Sequence, residues 1–211
     1  MTPSTSPGTG REIVIASRNK GKIAEILQIF HDLDVRWTSA TDYPDAPVVV
    51  EDGTTFPENA RKKALAVAKH TKQWSLADDS GLEVDALDGA PGIHSAYFAG
   101  THGADEANND KLLEKLAKVD DAKRTARYRA SIVVATPEGK IVAEGDGSCE
   151  GIIGRERRGT AGFGYDPLFI VPEFGQTMAE LGLEIKNRIS HRAQALSKLR
   201  EALVAALNGA S

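Results

Sequence analysis

Short apolar runs alternate with helical periodicity along this chain, and together they predict a mixed α/β fold. Residues 13–16 form an apolar run typical of a buried strand. Ile23, Ile26, Leu27 and Phe30 follow at spacings of three and four, which places them on one face of a helix. A strand followed directly by an amphipathic helix is the repeating unit of α/β proteins.

The same periodicities continue to the end of the sequence. Further helices are predicted at 57–72, with Pro57 in the first turn; at 104–119, with Leu112, Leu113 and Leu116 on the apolar face; and after Ser190 as N-cap, with Leu196, Leu199 and Leu203 inside. Strands are predicted at 75–78 and 82–84 around an acidic turn, at 125–136 with Arg127 and Arg129 on one side, and at 141–144 after a Glu138-Gly139 turn.

Length and cysteine content indicate one globular domain that needs no covalent support. The chain has 211 residues, of which 41% are hydrophobic and 27% charged. We expect a disordered tail at residues 1–10 and a single domain at residues 11–208. Cys149 is the only cysteine, so an internal disulfide and a cysteine-rich zinc site are excluded. A reducing compartment, and therefore the cytoplasm, is the expected location.

Charge and hydropathy exclude two classes of partner. The chain carries 26 Lys and Arg against 30 Asp and Glu, a net charge of −4, whereas proteins that coat nucleic acid need a basic face. No apolar run approaches the roughly 18 residues that a membrane helix requires. We therefore expect neither a nucleic-acid polymer nor a membrane as partner.

The first candidate site follows the first strand and opens the first helix. Free backbone N–H groups and the positive end of a helix dipole bind phosphate at such a junction, and a lysine adds charge. The Walker A spacing is absent, and a solvated helix start is the alternative interpretation. The residues are Ser17, Arg18, Asn19, Lys20, Gly21 and Lys22.

Two acidic segments are candidates for a hard cation. Asp78 and Asp79 follow an apolar run and precede Ser80 and Gly81, an arrangement that suits Mg²⁺ but also an ordinary Asx turn. Neighbouring side chains of an extended chain point to opposite faces, so the two carboxylates are expected to differ in role. Glu51 is a further possible metal ligand.

Thr55 and Glu58 lie shortly after Glu51, and we interpret them as helix caps. Glu58 stands three residues after Thr55, the spacing of a capping box.

Two later segments combine features of nucleotide recognition. Residues 159–167 interleave glycines with Phe163 and Tyr165, so that backbone approaches a ligand while a ring stacks on a base; the alternative is a glycine-rich loop whose aromatics pack in the core. Residues 186–192 concentrate donors just before the last helix, where Lys, His and Arg side chains can bind oxygens on a base edge; a solvated basic face is the alternative interpretation. Arg188 is expected on a solvated face.

Taken together, these segments resemble the inosine/xanthosine triphosphate pyrophosphatases, from Ile13 to Leu203. Any one segment could be coincidental, but six in the order of that family form a specific signature. The matching segments are residues 17–22, 51–60, 77–82, 89–93, 162–167 and 189–192.

The resemblance implies an elongated mixed sheet flanked by helices, in a homodimer whose protomers have two lobes around a central nucleotide-binding cleft. It also implies Mg²⁺-dependent cleavage of ITP, dITP or XTP to the monophosphate and pyrophosphate. The implied metal ligands are Glu51 and Asp79, with Asp79 also the proton acceptor; the implied substrate contacts are Ser17 to Lys22, Ser80, Phe163, Gly164, Tyr165, Asp166, Lys186, His191 and Arg192.

Three positions depart from the family's pattern. Ser17 replaces a common Thr but keeps the hydroxyl, and Ala161 replaces a frequent Gly. Tyr97 stands where Arg is usual, which removes an anion contact unless Arg127 or Arg129 compensates. A pyrophosphatase for other modified nucleotides and a non-catalytic nucleotide-binding module are the competing functions.

Overall fold

The structure is a computed structural model that describes residues 10–209. Its strands are β1 (Glu12–Ile15), β2 (Arg36–Ser39), β3 (Trp74–Val84), β4 (Thr125–Ala135), β5 (Ile141–Ile153), β6 (Phe169–Val171) and β7 (Gln176–Thr177). Its helices are α1 (Lys20–Ile29), α2 (Phe56–Thr71), α3 (Asp105–Lys115), α4 (Met178–Ile189) and α5 (His191–Gly209), with short 3₁₀ helices at Asp85–Leu87, Gly92–Tyr97 and Asp121–Lys123. Apart from Gly10, the expected N-terminal tail lies outside the described residues.

The strands form one seven-stranded sheet in the order β2-β1-β3-β4-β5-β6-β7. β1 pairs in parallel with β2 and with β3, whereas β6 pairs antiparallel with β5 and with β7. The predicted mixed α/β class with a mixed sheet and helices is therefore confirmed.

The chain divides into two compact units. The first comprises residues 10–78, 132–145 and 196–209 of the described chain, and the second comprises residues 79–131 and 146–195. A cluster of Ala60, Ala64, Ala68, Ala77, Val133 and Ala135 lies in the core of the first unit. Leucine and aromatic side chains fill the core of the second, among them Leu82, Leu112, Tyr128, Tyr165 and Phe169.

The predicted acidic turn is wrong, because residues 74–84 form one continuous strand. Asp78 and Asp79 lie in the middle of β3 and are 2% and 6% exposed. Turn-forming residues have only a weak preference, which tertiary contacts override. Lys22 supplies one such contact, since its Nζ donates to Oδ1 of Asp78.

The strand predicted to end at residue 144 continues to Ile153. The additional residues, 145–153, contain Gly145, Gly147 and Gly151. Two of these glycines allow close packing in the structure: a Cβ at Gly147 would overlap the carbonyl oxygen of His191, and one at Gly151 would overlap the ring of Phe169. Gly147 and Gly151 therefore let the start of α5 and β6 approach the strand.

Helices α1, α2 and α5 agree with their predicted positions, whereas α3 ends at Lys115, before the predicted end at residue 119. Helix α4 and strand β2 are not predicted from the sequence. Ser190 caps α5 as expected, because its Oγ accepts from the N–H of Ala193 at 3.2 Å. Leu196, Leu199 and Leu203 are fully buried. Among the described residues, no helix combines the length and apolarity needed to cross a membrane.

Candidate active site

The loop between β1 and α1 is organised as a helix N-terminus. The side chain of Asn19 caps α1 by accepting from the N–H of Lys22 at 3.1 Å, and the Ser17 hydroxyl accepts from the N–H of Asn19 at 3.1 Å. The cap fixes the path of residues 17–22 and leaves Arg18, Asn19 and Lys20 exposed. An exposed helix N-terminus with nearby cations suits an anionic ligand.

Lys22 connects this loop to the middle of β3. Its ammonium lies 2.6 Å from Oδ1 of Asp78, whose side chain is fully buried, while Lys22 keeps 17% of its own side chain exposed. The pair neutralises a carboxylate that would otherwise be buried at high cost.

Lys63 of α2 is a site residue that the sequence analysis missed. Its Nζ lies 2.9 Å from Oε1 of Glu51 and donates to the backbone oxygen of Asp78, also at 2.9 Å. Lys63 is three residues after Ala60 and four before Val67, both on the buried face of α2. A lysine within an apolar helical stripe is the sequence signal that would have identified it.

In the segment before α2, Thr55 caps the helix as expected, whereas the carboxylate of Glu58 makes its hydrogen bonds to Thr54, one residue before the cap that a capping box would use. Thr55 accepts from the N–H of Glu58, and the Glu58 carboxylate accepts from the N–H and hydroxyl of Thr54 at 2.7 and 3.0 Å. The hydrogen bond from the Thr54 backbone is the main cause that lowers the pKa of Glu58. Thr55 and Glu58 thus fix the start of α2, the helix that carries Lys63.

In the second unit, Asp79 and Ser80 continue β3 beyond Asp78. Asp79 is 6% exposed, and the Ser80 hydroxyl accepts from Nη2 of Arg192 at 3.0 Å. Arg192 lies in the first turn of α5 and is 1% exposed. The contact holds the guanidinium beside the strand that carries Asp79.

The glycine-rich loop and α4 meet at Asp166. This buried carboxylate accepts from Nζ of Lys186 at 2.5 Å and, on the same oxygen, from the N–H of Phe163 at 3.0 Å. Gly162 has a φ of +79°, and a Cβ there would overlap Oδ2 of Asp166. The turn therefore needs glycine because the carboxylate lies against it.

Phe163 and Tyr165 have different environments. Phe163 is partly exposed, with Nζ of Lys186 4.6 Å and Cζ of Arg192 5.6 Å from its ring centre. Tyr165 is 4% exposed, and its hydroxyl donates to the backbone oxygen of Ser95 at 2.9 Å. Burial raises the pKa of Tyr165. Of the two rings, Phe163 is the more exposed, whereas Tyr165 packs in the core.

Two side chains of α3 hold the peptide groups of Gly164. The Asp105 carboxylate accepts from its N–H at 2.7 Å, and Nδ2 of Asn109 donates to its carbonyl oxygen at 2.8 Å. Asn109 is not predicted as a site residue, although it lies three residues before Leu112 on the predicted apolar face. We call this arrangement of Asp105, Asn109 and Gly164 the α3 clamp.

Tyr97, which stands where the family usually has Arg, makes a local contact within its own 3₁₀ helix. Its hydroxyl lies 2.7 Å from Nδ1 of His94. Arg127, considered as a compensating cation, forms a bidentate pair with Asp85 at 3.0 and 3.2 Å and also contacts Glu150 at 3.1 Å. Arg127 therefore links β4 to β5 and to the 3₁₀ helix that follows β3.

The donor chemistry of Glu51 and Asp79 fits Mg²⁺, which prefers oxygen ligands and commonly uses one or two carboxylates. Within residues 10–209, no three or more His, Cys, Asp or Glu side chains are grouped so that they could hold a metal ion. Among the described residues, the first unit carries Lys22 and Lys63 beside Asp78 at the N-terminal side of α1 and on α2, and the second unit carries Asp79 and the ring of Phe163, which is flanked by cations. Such groups can bind a polyphosphate and a flat heterocycle.

Comparison with known proteins gives a consistent result along nearly the whole chain. A sequence model of the Ham1 family matches residues 13–202. The chain is 53% identical over 192 residues to the dITP/XTP pyrophosphatase of Desulforamulus reducens, covering 91% of this chain and 95% of that relative. It is 52% identical over 191 residues to the dITP/XTP pyrophosphatase of Geobacter sulfurreducens, covering 90% of this chain and 96% of that relative.

Solved structures agree with this comparison. The Ham1 protein of Coxiella burnetii superposes with a TM-score of 0.82 at 42% identity, covering 92% of this chain and 99% of that one. The Ham1 protein of Staphylococcus aureus gives a TM-score of 0.80 at 43% identity, with the same coverage of 92% and 99%.

Proposed function

Because this chain belongs to the Ham1 family, we propose that it hydrolyses ITP, dITP and XTP to the corresponding monophosphate and pyrophosphate. It is a hydrolase of non-standard purine nucleoside triphosphates, which acts on a phosphoric anhydride. The observation that carries the proposal is the placement of Lys22 and Lys63 at Asp78, the residue directly before Asp79.

The N-terminus of α1, together with Lys22 and Lys63, binds the triphosphate. A triphosphate carries about four negative charges near neutral pH, which must be balanced for the reaction to proceed. The Asn19 cap leaves residues 18–20 exposed for the phosphate oxygens. Lys22 and Lys63 supply ammonium donors for phosphate oxygens, and their contacts with Asp78 fix their positions.

Glu51 and Asp79 are the residues that would hold Mg²⁺, by their oxygen donors. A metal held by these two carboxylates would neutralise phosphate charge and stabilise the pyrophosphate leaving group. Lys63, 2.9 Å from Oε1 of Glu51, keeps that carboxylate beside β3.

Asp79 serves as general base. Its carboxylate orients a water molecule and accepts a proton from it as the water oxygen attacks phosphorus. The bond between that phosphorus and the bridging oxygen breaks, and the electron pair leaves with pyrophosphate. No covalent enzyme intermediate forms.

Selection of the base rests on Phe163 and Lys186. Phe163 stacks on the purine, and the Lys186 ammonium donates to the 6-oxo group of hypoxanthine or xanthine. The 6-amino group of adenine would instead place donor against donor, a mismatch that can reduce reactivity by about 10⁴. The 2.5 Å contact between Lys186 and Asp166 supports a fixed direction for this donor.

The proposal also includes a homodimer and a cytoplasmic location. Cys149 is the only cysteine and is buried, which fits a reducing compartment. Light scattering coupled to size exclusion tests the dimer, for which a mass of one chain would be the contrary result.

The decisive experiment measures pyrophosphate release from a panel of nucleotides. ITP, dITP and XTP should be cleaved in the presence of Mg²⁺ and remain intact with excess chelator. Faster cleavage of UTP or dTTP than of ITP would favour an enzyme for other modified nucleotides. Nucleotide binding without pyrophosphate release under any divalent metal would favour a non-catalytic binding module.

A further inference from the structure

Tyr128 of β4 contacts two of the residues assigned to the nucleotide. Its hydroxyl donates to Oδ1 of Asp166 at 3.2 Å, and its ring stacks on His191 with ring centres 4.6 Å apart and an interplanar angle of 15°. The ring also meets Phe169 at 4.5 Å. Tyr128 is 7% exposed, and no part of the sequence signature contains it.

The two oxygens of Asp166 have separate partners. Oδ1 accepts from the Tyr128 hydroxyl, while Oδ2 accepts from Nζ of Lys186 and from the N–H of Phe163. Hydrogen bonds to both oxygens restrict rotation of the carboxylate more than bonds to one oxygen, so Oδ2 is held more firmly in its direction towards the lysine. Lys186 is 3% exposed, and a buried ammonium with a fixed partner has little freedom to move.

We propose that Tyr128 is a positioning residue for base recognition, with its hydroxyl acting through Asp166 on Lys186 and its ring holding His191. This inference rests on the proposed function, in which Lys186 donates to the 6-oxo group. It makes selectivity between 6-oxo and 6-amino purines depend on a hydroxyl that does not contact the substrate.

A single substitution distinguishes the role of the Tyr128 hydroxyl from that of its ring. Tyr128→Phe removes the hydroxyl and keeps the ring, so the contacts with His191 and Phe169 remain. Oδ1 of Asp166 then loses a donor, rotation of the carboxylate is less restricted, and the direction of Lys186 is less firmly held. Turnover should change little, because the substitution leaves Asp79 and the lysines at Asp78 as they are.

Tyr43→Phe is the matched control. The Tyr43 hydroxyl donates to Oε1 of Glu12 at 2.5 Å, so the control removes the same group from the same kind of acceptor. Neither Tyr43 nor Glu12 has a role in the proposed machinery.

The test compares kcat and KM for ITP and ATP in the two variants and the wild type. For Tyr128→Phe, we expect kcat/KM for ITP to fall about tenfold, mainly through KM, as the loss of one hydrogen bond to a charged group predicts. The value for ATP should stay constant, so the ITP/ATP ratio falls by the same factor. Tyr43→Phe should match the wild type. Equal losses on both substrates, or no loss, would overturn the inference.

A double-mutant cycle tests whether the hydroxyl acts through Asp166. In the Asp166→Asn background, Tyr128→Phe should change the ITP/ATP ratio by less than about twofold. Independent, multiplicative effects would contradict the proposal. Because Asp166 is buried, a parallel cycle with Lys186→Gln gives the same test if the Asp166 variant does not fold.

Assays of the wild-type protein distinguish failure of the proposed function from failure of the role proposed for Tyr128. If it releases no pyrophosphate from ITP, the proposed function fails and the role of Tyr128 fails with it. If the wild type is active and selective but Tyr128→Phe has the same ITP/ATP ratio, only the role of Tyr128 is overturned.

Discussion

Nζ of Lys22 lies 2.6 Å from Oδ1 of Asp78, joining residues that are 56 positions apart in the sequence. The Asp78 side chain is fully buried, whereas Lys22 retains 17% exposure. This pair holds the candidate phosphate loop against β3, and it gives Asp78 a structural role.

Asp78→Asn should therefore act mainly on stability. Removing one charge of a largely buried pair leaves the other uncompensated, and we expect the free energy of unfolding to fall by about 2–3 kcal/mol. Urea denaturation measures this change. Asp52→Asn is the control, because Asp52 pairs with Lys62 but 65% of its side chain is exposed, so solvent screens the pair and its loss should cost much less than the loss of Asp78. Equal costs would contradict the structural role of Asp78.

Asp79→Asn should act mainly on turnover. The amide cannot accept a proton from water, and loss of a general base lowers kcat by about 10²–10⁴. The urea midpoint should stay close to that of the wild type. Pyrophosphate release from ITP is the measurement, and near-normal turnover in this variant would exclude Asp79 as the base.

Much of the fold follows from local pattern. The run at residues 13–16 and the face formed by Ile26 and Phe30 predict β1 and α1, because burial and helical spacing are visible in a short window. The segment around Asp78 and Asp79 misleads, since its turn preference is overridden by contacts with distant residues such as Lys22.

The supporting residues of the site are harder to predict. Lys63, Asn109 and Tyr128 acquire their roles from residues that are close only in the folded chain. Lys63 meets Glu51, Asn109 meets Gly164 and Tyr128 meets Asp166. Polar residues within apolar stripes mark the first two, whereas Tyr128 looks like an ordinary core aromatic of a strand.

Glu51→Gln should raise the Mg²⁺ requirement without abolishing the reaction. The substitution removes one charged oxygen ligand, and we expect the Mg²⁺ concentration for half-maximal activity to rise about tenfold. At saturating Mg²⁺, kcat should return to within a few-fold of the wild type. Asp52→Asn again serves as control, since it removes a neighbouring carboxylate that is not assigned to the metal. A low kcat at every Mg²⁺ concentration would assign Glu51 a different role.

Asn109→Ala should weaken nucleotide binding by loosening the α3 clamp. Without the amide, the carbonyl of Gly164 loses its 2.8 Å hydrogen bond and the loop that carries Phe163 gains freedom. One lost hydrogen bond of about 1 kcal/mol corresponds to a rise in KM for ITP of about fivefold. Asp110→Asn, one residue further and directed at Arg157, should leave KM unchanged. An unchanged KM in Asn109→Ala would show that the clamp does not order the loop.

Cys149 should make the protein less stable at alkaline pH. Burial, assisted by the charge of Glu150, raises the pKa of this thiol from its ordinary 9.0 to about 11. Above pH 9 the unfolded chain therefore releases a proton that the folded chain retains, so the free energy of unfolding falls as the pH rises towards 11. At pH 10.5 this loss amounts to about 2 kcal/mol.

Comparison of the wild type with Cys149→Ala isolates this contribution, because the tyrosines and lysines that titrate in the same range are present in both proteins. Urea unfolding at pH 8 and pH 10.5 should show a decline about 2 kcal/mol smaller for the variant. The cost of the smaller side chain is the same at both pH values and cancels in the difference. Parallel declines would mean that the folded protein does not suppress ionisation of the Cys149 thiol.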